Sequence, residues 1–378
     1  MPDKKKEILA NVERLHQYMD RYGCSAIAVR SGVNFTYLSG VYFPGTLGRH
    51  LDFVDTPREV YLVWPREGEP VIITHQAAVP IIERDSWVSE MELCQDYVDT
   101  GIAKTAEVLK KIGLDKSKLG FEKTCISAAR WEDLEHSLPD AQIFDCTEMM
   151  NEVRWIKTPG EVELLKQAAD IQDEAFLEVF SGVREGDTEA QVHSRMLKSC
   201  LDHGAQYAHG ILNSSRNPTI YCGEGGTVLR KGDVIRTDYV SYYRGYPGHQ
   251  SRQFVLGQPS DDLKRTYEKY RDVYLKTIAR CRPGIKANEL HRFARELFLE
   301  YGFPHKPGAM VGHSVGPWFH QQVPILVSTD ERVIEEGMVI ALEPFVDPWH
   351  LQDMFLVTED GAQLLSDRFN TENLFVID

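Results

Sequence analysis

A two-domain α+β fold is predicted by three features of this sequence. The chain has 378 residues, more than one hydrophobic core ordinarily serves. Up to about residue 150, short apolar runs alternate with amphipathic ones, the pattern of an α/β domain. Over residues 151–378, helix signals are interleaved with apolar strands that carry isolated polar residues, the pattern of helices packed on a mainly antiparallel sheet.

The elements of domain 1–150 begin with "KKKEILANVERLHQYMDRYG", which places Ile8, Val12, Leu15 and Met19 on one helical face, with an apolar strand after Gly23. Strands are predicted at "VYLVWP", "PVIITH" and "KLGFEK", and a helix at "AKTAEVLKKIGL". Domain 151–378 opens on a sharp local signal. Thr158 stands as N-cap, Pro159 at the first helical position and Glu161 three residues after the cap, a capping box. Val162, Leu165, Ala169, Ile171 and Phe176 follow as an apolar stripe. Further helices are predicted over 188–203, 261–281 and 288–301, and strands at "DVIRTDYV", "RQFVLG", "GMVIALEPFV" and "DMFLVTED".

Composition excludes several classes of function. Hydrophobic residues make up 42% and charged residues 26%, with a mean hydropathy of -0.34, as in globular proteins. A formal net charge of -15 argues against nucleic acid or an anionic membrane as partner, since phosphate attracts basic faces. No apolar run approaches the roughly 18 residues of a membrane span, and the N-terminus lacks the apolar core of a signal peptide. A cytoplasmic protein with a small-molecule substrate is expected. Seven cysteines without CxxC spacing fit reduced thiols. Cys222, in a glycine-rich loop, is a minor nucleophile candidate.

Polar residues recur where strands should be apolar: Asp238 and His249 in "RTDYVSYYRGYPGHQSR", His313 in "VGHSVGPWFHQQ", Glu343 in "IALEPF" and Gln352 in "HLQDMF". A buried polar residue is costly unless paired or ligated, so several of them on separate strands point to one site. Asp238, His249, His313 and Glu343 offer imidazole and carboxylate donors that suit Zn, Mn or Fe(II). The same groups without metal suit hydrogen bonding and proton transfer.

The segments "KGDVIRTDY", "RGYPGHQSRQF", "GHSVGPWFH", "EEGMVIALEPF" and "DMFLVTEDG", preceded by "IKTPGEVELLKQAA", resemble the pita-bread-fold family of methionine and proline aminopeptidases, prolidases and creatinase. The resemblance implies a pita-bread C-terminal domain and an α/β creatinase-type N-terminal domain. It also implies a ligand set of two Asp, one His and two Glu holding two divalent metals in the family's peptidases. Asp238, His313 and Glu343 match three of those positions, whereas His249 replaces the second Asp and Gln352 the last Glu. Both replaced positions bridge the ions, so the expectation is no dinuclear centre, and either no metal or one divalent ion (Fe, Mn or Zn) on Asp238, His249, His313 and Glu343.

His320, seven residues after His313, matches the family's second histidine, which contacts substrate. The loop over 210–226 has no histidine where the relatives bring one to the substrate. His209 lies just before it as a weaker candidate, with Arg216, Tyr221 and Glu224 as polar alternatives. "YLSGVYFPGTLGRHLDF" resembles the creatinase segment that crosses a dimer, and Arg49 falls on its arginine, which would clamp a substrate carboxylate. A homodimer whose Arg49 loop reaches the partner site is therefore expected.

Two functions follow. One is a hydrolase cleaving a C–N bond in a small amino-acid-derived substrate, creatinase-like or ectoine-hydrolase-like and not a standard dinuclear peptidase. It would use His320, His249, Glu343 and His313 in catalysis and Arg49, Arg216, Tyr221 and Gln352 in binding. The alternative is a mononuclear metal enzyme: a lyase, an oxidative enzyme or an Xaa-Pro peptidase. A non-catalytic binding protein would have no need to keep His313, His320 and Glu343 together.

Overall fold

The computed structural model describes residues 6–53, 56, 58–219, 225–304, 309–320 and 323–378, and the chain divides between Arg154 and Trp155 into two compact units. No helix among the described residues is long and apolar enough to cross a membrane.

The first unit is built on β1 (Ala26–Arg30), β2 (Tyr61–Pro65), β3 (Val71–His75), β4 (Glu90–Cys94), β5 (Lys118–Phe121) and β6 (Gln142–Asp145), in the order β4-β3-β2-β1-β5-β6. β1 and β2, and β2 and β3, run antiparallel, while the remaining neighbours are parallel. Alternation explains its burial on both faces. Ile27, Val29, Leu62 and Ile72 enter one apolar cluster, and Ala26, Ala28, Tyr61, Val63 and Ile73 enter another. The first helix is Val12–Tyr22, capped by the Asn11 side chain, with Leu15 and Met19 buried. It starts later than its apolar pattern predicts, because Asn11 satisfies the Arg14 N–H and fixes the start. Ile8 lies ahead of it, exposed.

The second unit holds two sheets where one was expected. In the first, β7 (Tyr207–Ser214), β8 (Val234–Tyr243), β10 (Gln253–Leu256) and β15 (Phe375–Ile377) lie in the order β15-β10-β8-β7, and β9 (Tyr246–Gln250) also pairs with β8. The second has the order β11-β12-β13-β14, made of β11 (Gly312–Ser314), β12 (Val339–Leu342), β13 (Asp353–Thr358) and β14 (Gly361–Leu364). Helix Pro159–Gly182 carries the predicted capping box between Thr158 and Glu161. It packs directly on β9, and Gly248 allows this approach: a Cβ there would collide with the Ala168 carbonyl. Beneath the sheets Arg252 is fully buried, with Nη2 donating to Asp173 and Asp353 at 2.6 Å each. Its Nη1 donates to the carbonyls of Ser251 (3.0 Å) and Gln352 (2.8 Å), tying β13 to the β9–β10 corner.

Candidate active site

β8 and β9 form a hairpin whose turn residues, Arg244 (φ 51°) and Gly245 (φ 82°), both take positive φ. That is the primed turn whose twist suits a two-residue connection. The register sets Val240 opposite His249, so Asp238 is the diagonal neighbour of His249 on the same face. His249 Nε2 lies 3.0 Å from Asp238 Oδ1. A carboxylate only accepts, so Nε2 is the donor in this pair and Nδ1 is the nitrogen left without a partner in it. Burial acts to raise the Asp238 carboxyl, but the His249 hydrogen bond and the charge of the nearby imidazoles outweigh it and hold Asp238 well below the usual range.

The second sheet delivers His313 and Glu343. Gly312, at φ 157°, lets β11 come against Ala341 of β12, where a Cβ would strike the carbonyl oxygen. β12 ends at Leu342, so Glu343 leaves the strand end instead of lying within the strand as predicted. His313 Nδ1 donates to the Ser314 carbonyl at 3.0 Å. Burial pushes the His313 imidazole down to about 3, so the ring is neutral and Nε2 is unprotonated. Nε2 then faces Glu343 Oε1 at 3.3 Å, lone pair against lone pair. The second oxygen, Glu343 Oε2, accepts from His350 Nε2 at 3.1 Å. Burial would raise Glu343, yet the His350 hydrogen bond, the largest opposing effect, helps to hold it below its ordinary value.

The two sheets bring these groups together. His249 and His313 have ring centroids 5.2 Å apart, and His320 lies 4.2 Å from His313 and 5.5 Å from His249. One nitrogen from each of the three lies within 4.8 Å of the others. His313 Nε2, Glu343 Oε1 and His249 Nδ1 are buried without a hydrogen-bond partner among the described residues. Imidazole nitrogens and a carboxylate oxygen left in this state fit a divalent metal. A cavity of about 200 Å³ opens beside them, lined by Asp238, Glu343, His350, Arg236 and Thr237 together with apolar side chains.

Among the other predicted residues, Gln352 is buried, its Oε1 accepting from Ser251 Oγ at 3.1 Å. His209 on β7 packs its ring 5.2 Å from Phe319, and burial, followed by the charge of His249, lowers its pKa. Arg216 is not brought to the cavity: its guanidinium grips Asp233 at 2.6 and 2.9 Å and donates to the Val228 carbonyl. Arg49 sits in helix Gly45–Leu51 of the first unit, exposed and paired with Asp52 at 3.0 Å. Tyr221, Cys222 and Glu224 lie outside the described residues. Two titratable cavity residues were missed from sequence. His350 lies in an irregular "DPWHLQ" stretch without periodic signal, whereas Arg236 breaks an apolar strand two residues before Asp238 and was open to the same reasoning.

Residues 163–359 match the model of metallopeptidase family M24, and residues 11–156 match that of the creatinase/prolidase N-terminal domain. The Xaa-Pro dipeptidase of Pyrococcus furiosus is 24% identical over 363 residues, covering 94% of this chain and 97% of the relative. That of Lactobacillus helveticus is 27% identical over 367 residues, covering 93% and 95%. The solved Xaa-Pro dipeptidase from Bacillus anthracis superposes with a TM-score of 0.80 at 23% identity, over 97% of this chain and 99% of that one. The X-Pro aminopeptidase from Thermotoga maritima gives 0.82 at 19% identity, over 97% and 99%. The fold is thus the expected one, a pita-bread domain with a creatinase-type N-terminal domain.

One expectation is corrected. His249 and Gln352 were taken to rule out a dinuclear centre and to leave no metal or a single Fe, Mn or Zn ion. The match to a metallopeptidase family, with Xaa-Pro dipeptidases aligned over nearly the whole chain, contradicts this. Loss of a carboxylate charge is not loss of ligation: an imidazole nitrogen and a carboxamide oxygen still present lone pairs to a divalent ion.

Proposed function

The chain belongs to metallopeptidase family M24 and is a hydrolase, and from that premise we propose that it is a metal-dependent enzyme cleaving a C–N bond in a small amino-acid-derived substrate, with Xaa-Pro dipeptides as the leading class. The facing lone pairs of His313 Nε2 and Glu343 Oε1, 3.3 Å apart, carry this reading, because a shared cation turns their repulsion into attraction. Asp238, His249, His313, Glu343 and Gln352 would hold the metal. When bound, it supplies Lewis-acid polarisation of the scissile carbonyl and a water acidic enough to attack at neutral pH.

The chain's own residues do the rest. Asp238 fixes the tautomer of His249 through the 3.0 Å bond, and His350 orients Glu343 and helps to keep it ionised. His320 is neutral near pH 7, its pKa lowered by burial and then by His249. It serves as the hydrogen-bonding partner of the substrate as charge develops. The binding role of Arg49 requires a homodimer, so sedimentation showing a monomer at assay concentrations removes it.

A creatinase-like specificity is the second reading, favoured by His249 and Gln352 at positions where the family's peptidases carry acids. The test is a panel of Xaa-Pro dipeptides, guanidino compounds and cyclic amidines offered to protein loaded with Mn²⁺. Dipeptide cleavage is expected. Cleavage of guanidino or amidine substrates alone would move the chain to the second reading, and no cleavage of either class would overturn both.

A further inference from the structure

His75 ends β3, on the face of the strand that it shares with Ile73. It is 1% exposed, and neither of its ring nitrogens has a hydrogen-bond partner among the described residues. Its register partner on β4 is Cys94, and the turn after β4 carries Asp96. Asp96 Oδ2 lies 3.5 Å from Arg58 Nε, an ion pair without a hydrogen bond, while Asp96 Oδ1 is buried without a partner among the described residues. The Arg58 guanidinium lies over the Tyr97 ring at 5.2 Å. Tyr97 holds φ at 62°, a left-handed value that a bulky side chain rarely adopts and that its surroundings must maintain. The turn is closed by Val98 N–H and Asp99 N–H, which donate to the Gln95 carbonyl at 3.1 and 3.0 Å, and by Gln95 N–H, which donates to Asp99 Oδ2 at 2.8 Å.

A ring so placed is at ease only while neutral. Burial, the largest effect, lowers the His75 pKa; Asp96 opposes it, and Arg58 and His50 add to it. These face the ring from the turn after β4, from the chain ahead of β2 and from helix Gly45–Leu51. The Cys94 thiol, pushed up to about 11 by burial, is neutral, and Asp99, Glu59 and the Lys104–Glu107 pair of helix Gly101–Lys111 belong to its surroundings. A protonated imidazole must place two N–H groups, and both nitrogens of His75 are closed off from water. The free oxygen of Asp96 is the acceptor at hand. We propose that His75 is an acid-operated latch on the 95–99 turn: neutral, it leaves Asp96 to Arg58 and the turn closed; protonated, it draws Asp96 away, so that Arg58 loses its partner and Tyr97 is released from its left-handed backbone. A histidine with a depressed folded pKa stabilises the closed turn above its ordinary value of 6.5, and that stability is lost as pH falls through the folded value. For one proton, the open population rises by up to about tenfold per pH unit over that range. The latch lies in the first unit and stands apart from the hydrolase reading.

The test is amide hydrogen exchange of the full-length protein at pH 7.5 and pH 5.5, read by mass spectrometry on peptides spanning 92–101 and corrected for the pH dependence of the chemical exchange rate. The wild type is expected to lose protection over 95–99 by about tenfold between the two pH values, while β2 keeps its own. In His75→Phe, which keeps an aromatic ring and cannot titrate, protection should be equal at both; His75→Gln reads the same outcome if the larger ring disturbs packing. In Asp96→Asn the turn should be looser at both pH values, with a smaller ratio between them. No pH effect in the wild type, the full effect in both His75 variants, or an equal loss over β2, which marks acid unfolding of the whole unit, each overturns the proposal. So does a wild-type ratio retained in Asp96→Asn, because the charge on Asp96 is what the protonated ring draws.

Discussion

Alanine at position 313 is expected to lower kcat/KM more than about 100-fold and to strip divalent metal from the protein, with little loss of thermal stability. Groups that merely orient metal ligands cost about 10–100-fold when removed, and His313 would be a ligand itself. Its Nδ1 is committed to the Ser314 carbonyl at 3.0 Å, and burial keeps the ring neutral, with a pKa of about 3. A proton therefore does not bridge Nε2 and Glu343 Oε1 near pH 7. Removing an imidazole whose Nε2 is buried and has no hydrogen-bond partner among the described residues also removes a desolvation cost, which offsets part of the lost packing. Elemental analysis after gel filtration, together with a melting curve, reads both outcomes. A variant that keeps its metal and its activity would show that His313 is not a ligand.

Methionine in place of Arg252 is expected to destabilise the protein by about 3–5 kcal/mol, the usual effect of deleting one partner of a buried ion pair. Arg252 is 1% exposed and is gripped by Asp173 and Asp353, whose side chains are 0% and 7% exposed. Burial already raises the Asp173 carboxyl despite the neighbouring guanidinium. Without Arg252 it rises further. A carboxyl whose folded pKa lies above its unfolded value contributes stability that is complete below the unfolded pKa and is lost as pH rises through the folded one. The deficit of Arg252→Met should therefore be larger at pH 8 than at pH 5 in urea unfolding. Equal deficits would mean that Arg252 acts through packing on Phe176 and Phe369 and not through charge. Arg252 also donates to the Gln352 carbonyl, so the substitution is expected to disturb the site from beneath.

Local signals were the most legible part of the sequence. The Thr158 box fixed the start of helix Pro159–Gly182, because capping chemistry is decided within four residues. The polar-in-strand argument found Asp238, His249, His313 and Glu343, which the two sheets of the second unit do bring together. What could not be read locally is which groups become neighbours. His350 meets Glu343 only because the chain between β12 and β13 folds back, and nothing in its sequence announces that. Arg216 resembled a ligand-binding cation, but Asp233, seventeen residues away, takes its fork. The division into two sheets likewise depends on pairings over long separations, such as Gly312 with Leu342. The error over the metal came from counting charges where lone pairs were the relevant quantity.

The most direct test of the central claim is hydrolysis of alanyl-proline by the wild-type protein before chelation, after exhaustive dialysis against a chelator, and after titration with Mn²⁺, with bound metal counted at each stage. The account predicts that activity and metal are lost together and return together as Mn²⁺ binds. Full activity in protein shown to be free of metal would contradict it.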